Sequence, residues 1–590
     1  MFCVVSLFSL FFSFSSLFLF GEFLGWFGGM WLIWFNFFVV FCLFIVLFCS
    51  YSVFDFNLID SCGLFFVDFG SFSYILSTSN NFSFSFSTSN IVILFTLIMI
   101  SFFVHVFAFH YMSFDNGRLF FLCVLIFFTF SMACLISVSN FLYMFIFFEL
   151  VSWSSFILIS WFMSYEAFKS SLKAIMLSRF SDGLFMSLLF EIFSYSNSFS
   201  VEMFDFVRIS NFYFFLLCFV FLLSKSAIFP FHSWLIWAMS GPTPVSALLH
   251  SATLVTTSYV ILTSLFHFYS NFFYTSFFLF YVLFNVIFGS LFSIFSYDIK
   301  KLIAYSTMSQ ISLIIIFFLN SPDLSFLYFT SHGFVKSSVF MCFGFIFHFF
   351  GGQDIRSIYG SYYFLKFYYL GVFFCVILLS AFPLSILFFI KEFILDSYLN
   401  YFDSFSYLNS ILINYSIFLT SIYSYFILNV FFGLPSKTVD VSSVMSSRSF
   451  TYFSCYYLLF FYIFFFFSYF SDVPLSHSVF SCLIVSNVLS LLSSYFPKSS
   501  NYFINSSSCS SLSSVSCGFY WDSFVNFFGY VFLNLSFSIF FIFEYFCFEY
   551  VFFFYSSFTN SVSFLSKSNY LYYIVLTLFS INVFFILFIF

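Results

Sequence analysis

Charge is what this chain has least of: among 590 residues there are 16 Lys and Arg and 22 Asp and Glu, only 6% in all. A water-soluble domain carries about a quarter of its residues as charges, so a soluble fold is excluded. The 14 cysteines are scattered singly with no C-x-x-C pair, which leaves an iron–sulfur cluster or a structural zinc without ligands. No G-x-G-x-x-G or P-loop run is present, so no nucleotide or flavin site is expected. The net charge of −6 is small and dispersed, which argues against a nucleic-acid partner. The first twenty residues lack the basic flank of a secretory signal and read as a first spanning helix.

What fills the space is apolar. The chain holds 125 Phe, is 63% hydrophobic and has a mean hydropathy of +1.10, the composition of a polytopic membrane protein. Stretches such as Ile91–Ile100 and Leu302–Leu319 are apolar on every face, without the two-residue alternation of a barrel strand. The fold class is all-α. At about 20 residues per crossing, spans fall near 3–20, 30–50, 91–112, 119–136, 141–162, 172–195, 211–240, 245–266, 273–295, 302–319, 325–349, 368–393, 410–432, 450–470, 479–497 and 570–590, about sixteen in all. Basic residues gather in the connections after odd-numbered spans: Arg118, Lys169, Lys300, Lys301, Arg356, Lys366, Lys437, Arg448 and Lys498. After even-numbered spans there is Arg208 alone, so the positive-inside rule puts the N-terminus on the side opposite the cytoplasm- or matrix-like face.

Two spans carry an internal proline, Pro230 in LLSKSAIFPFHSW and Pro383 in LLSAFPLSILFFIKEF, and each is expected to break there. Paired broken helices in two halves of a chain point to a transporter's central site; a plain proline kink is the alternative. Against the scarcity of charge, Glu149, Lys225, Lys336 and Lys391 nevertheless sit inside apolar runs. Each costs about 2.5–3.5 kcal/mol at mid-bilayer, so the four together cost on the order of 10 kcal/mol, as much as a whole domain's stability. Structural pairing would explain one lysine beside Glu149; three lysines for one deep carboxylate favour a proton relay. Arg179 and Asp182 share a helix face, as do His332 and Lys336, and His250 with Ser246. His105, His110 and His348 read more readily as core residues.

The run KSAIFPFHSWLIWAMSGPTPVSALLHSATLVT, from Lys225 to Thr256, resembles the signature of the antiporter-like membrane subunits of complex I, relatives of Mrp-type sodium/proton antiporters. HYMSFD from His110, SYDIKKLIAYSTMSQIS from Ser296, SHGFVKSS from Ser331 and GGQDIRSIYG from Gly351 follow in the family's order. The resemblance implies a Glu149–Lys225 pair that opens and closes during pumping, Lys336 as central relay, Lys391 as terminal lysine, His250 and His332 as bridges, and Arg179 and Asp182 as tuning groups. The sequence departs from the family at Ile236 and Trp237, where a proline and an acid are usual, at Tyr328, where a second His is usual, and at Leu387 in place of a Gly.

By the same resemblance the domains are N-terminal spans over 1–90, an antiporter-like core with two broken helices in inverted repeats over 91–434, further spans and a Ser-rich loop over 435–518, a lateral helix over 519–568 and a final anchor over 569–590. The chain is expected to be a multi-pass protein of the mitochondrial inner membrane, with its N-terminus in the intermembrane space. It is expected to pump protons for NADH:ubiquinone oxidoreduction while binding no cofactor itself; FMN, iron–sulfur clusters and ubiquinone would belong to the holoenzyme. Its partners would be the other membrane-arm subunits, above all a subunit 4-like neighbour, and lipid. The alternatives are a free-standing sodium/proton antiporter and a structural subunit with a degenerate pathway.

Overall fold

The computed structural model describes residues 88–432, with short gaps at 114, 197–198, 202–211, 252, 255–256, 266–274, 321, 351, 359–365, 382–384, 386 and 392–403, and the pairs 67–68 and 83–84. The chain divides into two units, Met1–Ser516 and Cys517–Phe590, and every described residue lies in the first. The spans expected near 3–20, 30–50, 450–470, 479–497 and 570–590, and the lateral helix, lie outside the described residues.

A two-residue antiparallel pairing joins β1 (Val67–Asp68) to β2 (Ser83–Phe84); all else of regular structure here is helical. The helices are α1 (Thr88–Tyr111), α2 (Arg118–Ser137), α3 (Phe141–Ile159), α4 (Tyr165–Ser196), α5 (Phe212–Lys225), α6 (Ser233–Trp237), α7 (Thr243–Ser251), α8 (Thr257–Ser264), α9 (Thr275–Phe295), α10 (Ile299–Asn320), α11 (Pro322–Phe350), α12 (Ile355–Ile358) and α13 (Lys366–Leu379). They are followed by α14 (387–391) and α15 (Ser404–Phe432). Among the described residues, five helices are long and apolar enough to cross a membrane. Two of them, α1 and α10, are enclosed almost entirely by other helices, which is why their sequences are apolar all round rather than striped.

Serine is abundant in these helices and needs an account, because an unpaired hydroxyl in hydrocarbon is costly. The side chains of Ser101, Ser131, Ser309 and Ser337 each donate to the carbonyl three residues back, at 2.8–3.0 Å. The hydroxyl is thereby satisfied within its own helix, and serine packs as a small residue. Close packing also needs glycine at two places. A Cβ on Gly289 would stand 3.0 Å from the Ser309 nitrogen, so α9 meets α10 at backbone distance, and one on Gly344 would stand 2.7 Å from Thr243 Oγ1 and 2.8 Å from Phe107 Cζ, so side chains of α7 and α1 pack onto the bare backbone of α11.

The expected span 211–240 is broken, as its proline foretold: α5 stops at Lys225 and α6 begins at Ser233. Ala227 takes φ 53° in the break. The backbone groups freed there find partners on neighbouring elements. The Phe229 N–H donates to Asn285 Oδ1 at 3.0 Å, the Tyr281 hydroxyl donates to the Phe229 carbonyl at 2.5 Å, and Trp234 Nε1 donates to the Ser224 carbonyl at 3.1 Å. The second broken span repeats the pattern: α13 ends at Leu379, Ala381 takes φ 55° and α14 resumes at 387. The span expected at 245–266 is also discontinuous, between Ser251 and Thr257, without a proline to signal it. There the Thr253 hydroxyl reaches five residues back to the Leu248 carbonyl at 2.8 Å, a side-chain bond that competes with the helical ladder. At one end of the bundle, Asp298 and Asp354 form an isolated antiparallel bridge, joining the SYDIKK and GGQDIRS segments.

Candidate functional site

Four charges of alternating sign cross from α3 to α5. Glu149 on α3 pairs with Arg179 on α4; the Arg179 guanidinium stands 3.8 Å from Asp182 Oδ2, one turn along the same helix; Asp182 Oδ1 accepts from Lys225 Nζ at 2.6 Å. Arg179 also donates to Ser152 Oγ at 2.5 Å, and the Lys225 ammonium lies 4.6 Å from the Phe148 ring centroid. The expected Glu149–Lys225 pair is therefore corrected: α4 inserts Arg179 and Asp182 between them, and each end residue pairs with the inserted residue of opposite sign. The deep carboxylate is Asp182, 3% exposed, whereas the Glu149 side chain is 24% exposed. Lys225 ends α5, where the carbonyl end of the half-helix adds partial negative charge around its ammonium. A cavity of about 20 Å³ lies beside it, lined by Lys225 and by Ser152, Ser155, Ser178, Ser181 and Ser224, enough for about one water.

Lys336 on α11 is fully buried and donates to Ser306 Oγ on α10 at 2.5 Å. Lys391 on α14 is fully buried and donates to Thr420 Oγ1 on α15 at 3.3 Å. Among the described residues neither has a carboxylate within ion-pair distance. His250 packs between Trp234 and Phe340 with ring centroids 6.5 and 6.1 Å away, and His332 stands one turn from Lys336 on α11. Both rings are buried, and neither finds a hydrogen-bond partner for either nitrogen among the described residues. The structure thus places all eight expected residues within one bundle and joins Glu149, Arg179, Asp182 and Lys225 directly. His332 and Lys336 stand one turn apart on α11; no direct hydrogen bond or ion pair among the described residues joins His250, His332, Lys336 or Lys391 to that group. The Ser246 hydroxyl, expected beside His250, donates to the Thr243 carbonyl instead.

Sequence reading missed the hydroxyls that hold the cations, Ser152, Ser306 and Thr420, and a buried amide, Gln310. The signal available was the polar cluster STMSQ in the middle of an otherwise apolar helix. Of the departures from the family pattern, Trp237 lies under the Lys173 ammonium at 4.6 Å, a cation–π contact where an acid would make an ion pair. Tyr328 is fully buried and donates to Gln310 Oε1.

The described residues form a helical bundle with two broken helices and buried lysines. Residues 138–427 match the family model described as NADH:quinone oxidoreductase/Mrp antiporter, transmembrane. It is 32% identical over 415 residues to NADH-ubiquinone oxidoreductase chain 5 of Acanthamoeba castellanii, covering 66% of this chain and 61% of the relative. It is 34% identical over 345 residues to chain 5 of Candida albicans, covering 56% of this chain and 62% of the relative. The matched part thus spans less than two thirds of these relatives' length. The fold is similar to that in the structure of the Mrp complex from Dietzia sp. DQ12-45-1b, with a TM-score of 0.69 and 16% identity, covering 80% of this chain and 54% of that one.

Proposed function

We propose that the chain is a proton-translocating membrane-arm subunit of respiratory NADH:ubiquinone oxidoreductase, of the chain 5 type, in the mitochondrial inner membrane. The observation that carries this reading is the burial of Lys225, Lys336 and Lys391, with one of the three held by a carboxylate and two held, among the described residues, by hydroxyls. Such amines in a membrane interior are costly, and residues kept there at that cost mark ion or proton pathways. The likeness to chain 5 proteins supports the redox assignment. In this reading the chain has about sixteen spans, its two halves form inverted repeats around the breaks, a lateral helix follows near 520–564, and the N-terminus faces the intermembrane space. FMN, iron–sulfur clusters and ubiquinone belong to other subunits, and a subunit 4-like protein is the neighbour.

Arg179 is the switch in this mechanism, because it stands between two carboxylates. While it holds Glu149, Asp182 serves Lys225; if Arg179 swings to Asp182, Lys225 loses part of its counter-charge and releases a proton. One unit charge at 4 Å is worth roughly 4 kcal/mol at an effective dielectric of about 20, equivalent to about three pKa units. The proton then moves past His250 and His332, by way of water, to Lys336 and Lys391. Lys336→Ala in membrane vesicles is expected to lower the number of protons moved per NADH oxidised; an unchanged ratio in an assembled complex refutes the proposal and leaves a structural subunit.

A second reading, a free-standing sodium/proton antiporter, is favoured by the shared fold with the Mrp complex. Co-purification of the chain with flavin and iron–sulfur subunits, and sodium-independent proton uptake, decide against it.

A further inference from the structure

Glu149, Ser152 and Trp153 stand at i, i+3 and i+4 on α3 and so share one face of it, and all three hold the same side chain. Arg179 pairs with Glu149, donates to Ser152 Oγ at 2.5 Å and sets its guanidinium carbon over the Trp153 ring, 5.7 Å from the centroid. Its other anion, Asp182 at 3.8 Å, belongs to its own helix, α4. The two carboxylates therefore compete for Arg179 from two helices, and Trp153 is on the side of Glu149. Through Asp182, Lys225 of α5 also feels the outcome; α6, which packs on α4 as well, brings no charged side chain.

Tryptophan is an unfavourable choice at this position unless its ring face is used. The Trp153 Nε1–H is buried and finds no acceptor among the described residues, whereas a buried indole N–H ordinarily has one. A leucine or a phenylalanine would fill the place without stranding a donor. What the indole adds is the strongest aromatic face for a cation, and that face carries Arg179. Such a face favours a cation by a factor of about two at an exposed site and about thirty once desolvated; the Arg179 side chain, 31% exposed, lies between these limits. This hold does not titrate. Protonating Glu149 removes the ion pair and leaves the ring quadrupole as it was.

We infer that Trp153 is a positioning residue: it holds Arg179 on the α3 side of the switch, and so leaves Asp182 to Lys225, by a cation–π contact that persists when Glu149 is neutral. This inference rests on the reading of the chain as a proton pump in which Arg179 moves between the two carboxylates. Without the indole, Arg179 turns toward Asp182 more often, Lys225 has to share its counter-ion, and the ammonium keeps its proton less firmly. Pumping then fails at a lower pH, and each tenfold change in the balance moves that limit by about one pH unit.

The test uses vesicles bearing the full-length chain in its native membrane assembly, with the protons moved per NADH oxidised read across the pH range. Trp153→Leu is expected to move the alkaline limit of pumping to lower pH by about 0.3–1.5 units, and Trp153→Phe, which keeps a weaker aromatic face, by less. A residue that only fills space would instead lower the melting temperature of the solubilised complex and the activity at every pH, with the limit left in place. The inference is overturned if the limit stays put in assembled Trp153→Leu, or if Trp153→Phe moves it as far as Trp153→Leu does. It is also overturned if both variants fail to assemble or lose pumping alike at every pH, since Trp153 is then a packing residue only. Lys336→Ala in the same vesicles reads the pumping function itself: an unchanged ratio there removes both conclusions, whereas a lowered ratio there with an unmoved limit in Trp153→Leu removes the role of Trp153 alone.

Discussion

Asp182→Asn keeps the shape of the side chain and removes the charge that faces Lys225 at 2.6 Å. At an effective dielectric of about 20, that contact is worth about 6 kcal/mol before the cost of burying the two ions is set against it. Removing one partner of a buried pair costs about 3–5 kcal/mol, because the remaining charge is left uncompensated. The variant has two ways to respond: assemble poorly with Lys225 charged, or assemble with Lys225 neutral and pump nothing. Either way, the protons moved per NADH in vesicles fall to the level of Lys225→Met. Glu149→Gln is a built-in contrast. Its partner Arg179 is 31% exposed, where an ion pair contributes about 1 kcal/mol or less, so assembly is expected to be near normal. The double variant Asp182→Asn with Lys225→Met removes both charges together. It is expected to recover most of the lost assembly, measured as the melting temperature of the solubilised complex, but not the pumping. The reasoning fails if Asp182→Asn assembles and pumps normally, or if the double variant is as unstable as the single one.

Asn285→Leu strips the Phe229 N–H of its acceptor in the first break and is expected to cost about 1–3 kcal/mol, read as a fall in the melting temperature of the solubilised protein; an unchanged value means the break is satisfied some other way. At the bundle end, burial pushes the Asp298 carboxyl up, but hydrogen bonds from Lys301 and Asp354 and the Lys301 charge outweigh it and hold the group below its usual range. A depressed carboxyl stabilises the fold above its unfolded value of about 3.9, and the contribution is lost as pH falls through the lower folded value. Amide exchange at Ile299 and Ile355, which flank the Asp298–Asp354 bridge, is expected to accelerate below about pH 4 in the wild type, with a flatter response in Asp298→Asn; equal pH responses in the two proteins refute the assignment.

Much of this architecture is legible in the letters, because in a membrane the penalty for a misplaced polar group is large and local. The apolar runs give α2 as 119–136 against the observed Arg118–Ser137, and α10 as 302–319 against Ile299–Asn320. The buried lysines stand out simply because charge is rare. Partner choice was not legible. Arg179 and Asp182 announce their shared face through their three-residue spacing, but only the packing of α4 between α3 and α5 decides that Glu149 and Lys225 meet them instead of each other. The break after Ser251 was hidden for a similar reason: it arises from threonine side-chain bonding, which an apolar count does not register. Gln310 escaped notice because an uncharged amide in a helix is unremarkable until its two phenol partners, Tyr328 and Tyr423, are placed beside it.

The hydroxyls that receive Arg179, Lys336 and Lys391 share one property. Ser152, Ser306 and Thr420 each give their own hydrogen to a backbone carbonyl of their helix, at 2.8, 2.7 and 2.7 Å, so only lone pairs remain to face the incoming cation. Such a cradle accepts an N–H from an ammonium or from a neutral amine alike, but it offers no hydrogen to the lone pair that a neutral amine carries. For the lone pair of a discharged Lys336 or Lys391 to be met by the same side chain, Ser306 or Thr420 has to let go of its carbonyl and turn. That turn is a small rotation about one side-chain bond, a latch that would tell the empty amine from the charged one.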